Sequence, residues 1–443
     1  MNHLKIAFII GIFTISTLCF SQKKWTLQES INHALENNIT IKKAENTLLI
    51  NDEDITAAKG SFLPSVSGSA SHSLSLGQTQ LFEGSFVNRT SNSTNLGVRV
   101  SENVFNGFRN TYLFEQAKLN LETSQLELSR IQDDISLNVA NSYLNALFNK
   151  EQLETALAQF EFSKKQLSQV KDLVEAGNQP EVNIYDAEAT LANDEQAVTV
   201  AENNYNLALL SLSQLLQVPF EGFDVEVIDI DSPSEALLYN NASPILEYAL
   251  QNRSEIKIAE KNIENSELDS KISKVGFLPS VNFGYSLGAN AFYTNSANII
   301  ENPLFRQLED NLGHNFSLSV NIPIFSQFQN KTNVAKSLVR EENAKLDLEQ
   351  AKLTLESNIQ AAFTDAQASF KTYEAAKKSL ASQELAFENS QERYNIGAMN
   401  AFELEQSRVR YINAQSSLIT AKYDFVFKTK VLDFYMGKTI TID

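Results

Sequence analysis

Between Ser65 and Leu76 every odd position is serine, and the even positions are Val66, Gly68, Ala70, His72, Leu74 and Leu76. A period of two puts the serines on one face of a β-strand and the mostly apolar set on the other. The alternation returns in Leu96, Val98 and Val100, in Val281, Phe283, Tyr285 and Leu287, and in Phe316, Leu318, Val320 and Ile322, each interleaved with small or polar residues. Four strands of about ten to twelve residues match the length needed to cross a bilayer at a tilt. The segments from Gln78 to Ser93 and from Thr294 to Gly313 are polar and rich in Asn and Ser, and they read as exterior loops. A half-buried sheet of a globular protein alternates in the same way. The small polar face suits a water-filled lumen instead, and backbone in lipid must be fully hydrogen-bonded, so four strands close only by joining other chains. Two copies would supply eight strands and three would supply twelve; both remain open at this point.

Around the strands the pattern changes to helical. No Gly or Pro interrupts Phe108 to Ala176 or Phe328 to Ile396. Each stretch predicts a helix on the order of 100 Å long at 1.5 Å per residue. Leu121, Leu128, Ile131 and Ile135 step by coiled-coil intervals, as do Leu153, Leu157, Phe160, Leu167 and Val174.

The chain is duplicated. Ala34-Leu35-Glu36-Asn37-Asn38 returns as Ala249-Leu250-Gln251-Asn252-Arg253, and Phe62-Leu63-Pro64-Ser65-Val66 returns unchanged as Phe277-Leu278-Pro279-Ser280-Val281. Val104-Phe105-Asn106-Gly107-Phe108-Arg109-Asn110 answers Ile324-Phe325-Ser326-Gln327-Phe328-Gln329-Asn330 at a slightly larger offset, and Gly177 answers Gly397. Repeats at a fixed spacing mean repeated structural units. The predicted organisation is a first repeat over 22–216, with a helix, a strand pair at 64–105 and long helices at 108–176 and 180–216. A connector at 217–243 follows, with one short strand. The second repeat, 244–443, has its strand pair at 279–325 and long helices at 328–396 and 398–436.

Met1 to Ser21 carries Lys5, an apolar run and small residues at its end, the pattern of a signal peptide for export. Bulky Leu18 before Cys19 argues against a lipid anchor there. Beyond Cys19 there is no cysteine, so disulfides, thiolate metal sites and cysteine nucleophiles are excluded. A net charge of -18 argues against nucleic-acid binding. His33, His72 and His314 stand in no metal-ligand or triad spacing, and no phosphate-cradling glycine loop is present, so no enzyme, cofactor or metal site is expected. The alternative to a channel is an exported coiled-coil scaffold or adhesin without transport.

The duplicated Phe-Leu-Pro-Ser-Val segment, the Val-Phe-Asn-Gly-Phe-Arg-Asn and Ile-Phe-Ser-Gln-Phe-Gln-Asn junctions, and Arg393-Tyr394-Asn395-Ile396-Gly397-Ala398 together resemble the TolC-like outer membrane efflux proteins. The resemblance covers essentially the whole mature chain. It implies a homotrimer in which a twelve-stranded outer membrane β-barrel, four strands per chain and surrounded by lipid, is continued by a periplasmic α-helical coiled-coil barrel. It further implies a passive conduit for tripartite efflux or type I secretion, fed by an inner-membrane pump and a periplasmic adaptor. By the same resemblance Gly177, Asn178, Ile396, Gly397 and Ala398 lie at the periplasmic tip and its adaptor contact, and Tyr394 and Glu403 narrow the pore entrance. Gln406 and Met399 depart from the family's gate residues, which puts closure by that ion-pair network in doubt. Glu181 and Asp186 are further candidate lumen acids that also read as ordinary surface residues.

Overall fold

A computed structural model describes residues 24–80, 84–227, 239–294, 302–438 and 440. The expected signal segment with Cys19 lies outside these residues. In chain order the elements are β1 (Lys24–Trp25), α1 (Leu27–Asn37), α2 (Ile39–Gly60), β2 (Ser65–Gln80), β3 (Phe86–Phe105), α3 (Arg109–Glu175) and α4 (Val182–Leu216). They continue with β4 (Asp224–Val225), α5 (Ser243–Asn252), α6 (Ser254–Lys274), β5 (Ser280–Thr294), α7 (Leu304–Asp310), β6 (Gly313–Asn321), α8 (Gln329–Asn395) and α9 (Ala401–Tyr435). Among the described residues no helix is long and apolar enough to cross a membrane.

The elements gather into two compact units, and neither coincides with one sequence repeat. One holds the described residues of Met1–Glu45, Glu127–Lys257 and Gln350–Asp443; the other is Asn46–Leu126 with Ile258–Glu349. Each therefore draws on both copies of the repeat.

The strand-bearing unit contains a four-stranded antiparallel sheet in the order β2-β3-β5-β6. Over most of its length the register keeps like opposite like, with Leu74 facing Asn92 and Phe283 facing Glu102 as exceptions toward the strand ends. Ser69 faces Gly97, which faces Gly288, while Ala70 faces Leu96, which faces Ala289. On β5 and β6, Phe283 faces Leu318 and Asn282 faces Ser319. One face is thus continuous in small and polar residues, and the other carries Val66, Leu74, Val98, Leu318 and Phe316 exposed. A slip by one residue would exchange the two faces, so the alternation pins the register.

Three strands are longer than the alternation predicted, 16, 20 and 15 residues for β2, β3 and β5, while β6 is shorter at 9 residues. Much of Gln78 to Ser93, expected as a loop, is strand, with Gln78 opposite Asn88 and Gln80 opposite Phe86. Polar side chains do not end an antiparallel ladder, because its bonds are made by the backbone. In the second hairpin the short helix α7 occupies part of the expected loop. The stretches 81–83 and 295–301 lie outside the described residues.

Both strand-to-helix junctions use consecutive left-handed residues, Gly107 and Phe108 in the first copy and Gln327 and Phe328 in the second. Phe105 meets Phe108 edge to face at 5.4 Å, and Phe325 meets Phe328 in the same way at 5.6 Å.

In the other unit, Tyr143, Leu147, Leu212, Leu216 and Val225 are fully buried in a common core. Strand β1 pairs in parallel with β4, so the connector does contribute one short strand. The Tyr143 hydroxyl stands 2.7 Å from the Glu226 carbonyl and 3.0 Å from that of Trp25, tying helix α3 to both chain segments at the C-terminal end of this ribbon. Burial, with Glu226 and Asp224 nearby, pushes the Tyr143 pKa up, so it stays a neutral donor.

Candidate channel entrance

Helices α3 and α8 end in the same device. The Gly177 amide donates to the Val174 carbonyl at 2.9 Å and the Asn178 amide to Leu173 at 2.8 Å; the Gly397 amide donates to Tyr394 at 3.0 Å and the Ala398 amide to Arg393 at 2.8 Å. This pairing of bonds around a left-handed residue is the Schellman motif, and glycine supplies the positive φ, +73° at Gly177 and +75° at Gly397. Each glycine has open space where a Cβ would stand, so conformation and not crowding requires it.

The chain re-enters a helix a few residues later than expected. Asn400 is extended, and its side chain accepts from the Glu403 amide at 2.9 Å, which starts α9 at Ala401 and not at 398. The expected start at 180 for α4 likewise moves to Val182, beyond Pro180.

The two turns meet through one side-chain bond: Gln179 Nε2 donates to the Tyr394 hydroxyl at 3.3 Å. Tyr394, Phe402, Val170, Asn183, Asp186 and Glu405 line a cavity of about 270 Å³ between the helices. Of the residues singled out from the sequence, Tyr394 and Asp186 come together here. Glu403 is exposed on the first turn of α9, where it suits the positive end of the helix, and it does not line the cavity. Glu181 is exposed and accepts from the Tyr185 hydroxyl at 3.4 Å. Asn178, Ile396 and Ala398 are exposed on the turns themselves, Ile396 at 79%.

Sequence reasoning missed the most heavily bonded group nearby. Arg408 is only 3% exposed. Its Nε and Nη2 donate to the Glu405 carboxylate at 2.8 and 2.9 Å, and its Nη1 donates to Asp194 Oδ2 at 2.9 Å and to Ser163 Oγ at 3.2 Å. Ser163 Oγ also donates to Asp194. Burial works against the Arg408 charge, but the bonds to Glu405 and Asp194 outweigh it and hold its pKa above the ordinary arginine value. Helices α3, α4 and α9 are thereby locked at one level, and Ser390 Oγ on α8 donates to Ser407 Oγ at 3.1 Å beside them.

The arrangement is two helical hairpins with matching ends. The outer membrane efflux protein family matches residues 30–217 and 245–438, one match for each copy of the repeat. The chain belongs to the outer membrane efflux protein family. Members of this family are channel proteins, and the chain is an outer membrane channel for efflux or export. It is 20% identical over 416 residues to the outer membrane protein TolC of Vibrio cholerae, covering 93% of this chain and 90% of that one. It is 24% identical over 300 residues to the pyoverdine export outer membrane protein OpmQ of Pseudomonas aeruginosa, covering 67% of this chain and 60% of OpmQ. Among solved structures, CusC superposes with a TM-score of 0.77 at 18% identity, covering 93% of this chain and 92% of that one. The CmeC channel of Campylobacter jejuni superposes with a TM-score of 0.78 at 18% identity, covering 94% and 87%. The fold is that of these channels, trimers with a β-barrel and a helical barrel.

Proposed function

We propose that the chain is the passive outer membrane conduit of a tripartite efflux or type I secretion assembly, with a periplasmic adaptor and an inner-membrane pump as its partners. The entrance is narrowed by Tyr394 and Glu403, and the turns at Gly177, Asn178, Ile396, Gly397 and Ala398 receive the adaptor. The observation that carries this reading is the pair of Schellman turns joined by the Gln179–Tyr394 bond, with apolar Ile396, Phe402 and Val182 exposed beside them at 79%, 71% and 58%. Apolar side chains exposed at a helical tip fit a protein contact. Acidic Glu175, Glu181 and Glu403, exposed at the same end, fit a cation-preferring mouth.

Reconstitution in a planar bilayer tests the reading. Discrete, cation-preferring steps are expected, and replacing Tyr394 and Glu403 together with alanine raises the single-channel conductance. An unchanged conductance removes both residues from the entrance.

A further inference from the structure

The sheet order β2-β3-β5-β6 leaves one edge of β2 and one edge of β6 unpaired within the chain. An open edge is not stable in lipid, so on the multi-chain barrel reading the β6 edge of one subunit pairs with the β2 edge of the next. The internal duplication says how. The first-copy helix and strand α2-β2 correspond to α6-β5 at an offset of 215 residues, fixed by Phe62–Val66 and Phe277–Val281. The segments β3-α3 correspond to β6-α8 at an offset of 220, fixed by Val104–Asn110 and Ile324–Asn330. The contact of β3-α3 with β5-α6 inside one chain is therefore the template for β6-α8 against β2-α2 of the neighbour.

Inside the chain, Gln116 Nε2 on α3 donates to Asp269 Oδ1 on α6 at 2.9 Å. Shifted by these offsets, Gln116 becomes Lys336 and Asp269 becomes Asp54. A neutral amide facing a carboxylate is replaced by an ammonium facing a carboxylate. Lys336 and Asp54 are both exposed, and neither has an ion-pair partner among the described residues of its own chain. We propose that Lys336 of one subunit and Asp54 of the next form an ion pair that closes the helical seam between neighbouring chains.

The strands give an independent check. Ser101 lies opposite Gly284 within the chain, which becomes Asn321 opposite Ser69 between chains. In that register Val320 meets Ala70, Ser319 meets Ser71, Ser317 meets Ser73 and Phe316 meets Leu74, with Leu318 opposite His72 and His314 opposite Leu76 as the mixed pairs, so the small polar face stays continuous across the seam; a shift of one residue would exchange the two faces. The helical surfaces agree as well. Val339 on α8 and Leu49 and Ile50 on α2 are exposed at 61%, 67% and 61%, one turn of helix further from the strands than the charged pair. Not every contact is carried over: the Asn265–Asn120 bond of 2.8 Å becomes Ile50 and Arg340, where an aliphatic stem packs on an apolar side chain.

Two differently tagged subunits, one carrying Asp54→Cys and the other Lys336→Cys, are co-expressed and treated in the membrane with a short bismaleimide. A product carrying both tags is expected, with none from either variant alone or from the wild type, whose one cysteine is Cys19. Intact oligomers of native mass that fail to cross-link overturn the pairing while leaving the multi-chain barrel standing; subunits that never associate overturn both. Charge reversal gives a second reading. Lys336→Asp or Asp54→Lys alone lowers the temperature at which the oligomer dissociates in detergent, and combining them restores most of the loss. Losses that simply add overturn the proposal.

Discussion

Gln179 Nε2 donates to the Tyr394 hydroxyl at 3.3 Å and is the polar link between the turn that follows α3 and the turn that ends α8. One residue comes from each copy of the repeat, so this bond ties together the two helical hairpins of the chain. If it holds the entrance narrow, Tyr394→Phe and Gln179→Leu should each raise single-channel conductance, and the double variant should raise it no further than either alone. Additive increases would mean that the two side chains act separately.

The Arg408 cluster makes a prediction about stability. Its guanidinium is nearly sealed from solvent and satisfied by Asp194, Glu405 and Ser163. Breaking a buried pair from one side leaves an uncompensated charge, at a cost of about 3–5 kcal/mol. Arg408→Met and Asp194→Leu should therefore each destabilise the helices strongly. The double replacement, which removes charge from both sides, should recover part of the loss. Denaturant unfolding followed by helical circular dichroism, in detergent-solubilised protein, reads this as shifts of the midpoint. A double variant as unstable as the sum of the singles would refute it.

These residues also show which parts of the molecule could be read in advance. The strand faces were legible because serine at every second position from Ser65 to Ser75 admits one periodicity only. The long helices were legible from the absence of Gly and Pro, and their turns from Gly177 and Gly397. Arg408 was not, since an arginine amid acidic and polar neighbours on a helix looks like part of a solvated face. Its partners Ser163 and Asp194 lie 245 and 214 residues away, and no local spacing announces them. Strand ends were hidden for the reason that the ladder between Gln78 and Asn88 is made by backbone, to which side-chain polarity is indifferent.

Gly107 and Gly177 separate two roles of glycine. Both have positive φ, but a Cβ on Gly107 would stand 2.8 Å from Val275 Cγ1 and 3.0 Å from Leu278 Cβ, whereas Gly177 has nothing within 4 Å. Gly177→Ala meets the left-handed penalty alone, roughly 1–2 kcal/mol. Gly107→Ala adds overpacking of about 1–3 kcal/mol. The expected order in thermal dissociation of the oligomer is wild type, then Gly177→Ala, then Gly107→Ala, with Val275→Ala partly rescuing the last. Equal losses at the two positions would show that crowding at Val275 does not matter.

The β1–β4 ribbon makes a prediction about pH. Burial opposes ionisation of Asp224, but the Tyr205 hydroxyl donates to it at 2.6 Å, the Val225 amide at 2.8 Å, and Lys150 and Lys24 stand 3.6 and 3.9 Å away. The net effect holds its pKa below the ordinary carboxylate range. A carboxylate with a depressed folded-state pKa contributes stability that is fully present above its unfolded value, about 3.9, and is lost as pH falls through the lower folded value. Trp25, the single tryptophan of the chain, lies on β1 with its ring 6.1 Å from that of Phe223, so its fluorescence reports directly on the ribbon. In the wild type the ribbon should therefore open, as a red shift of the Trp25 emission at moderate denaturant, once the pH drops below about 4. Asp224→Asn should open at lower denaturant at pH 7, and its disadvantage should shrink toward the acid end. A gap between the two proteins that stays constant from pH 7 to pH 3 would mean that the Asp224 charge does not hold the ribbon closed.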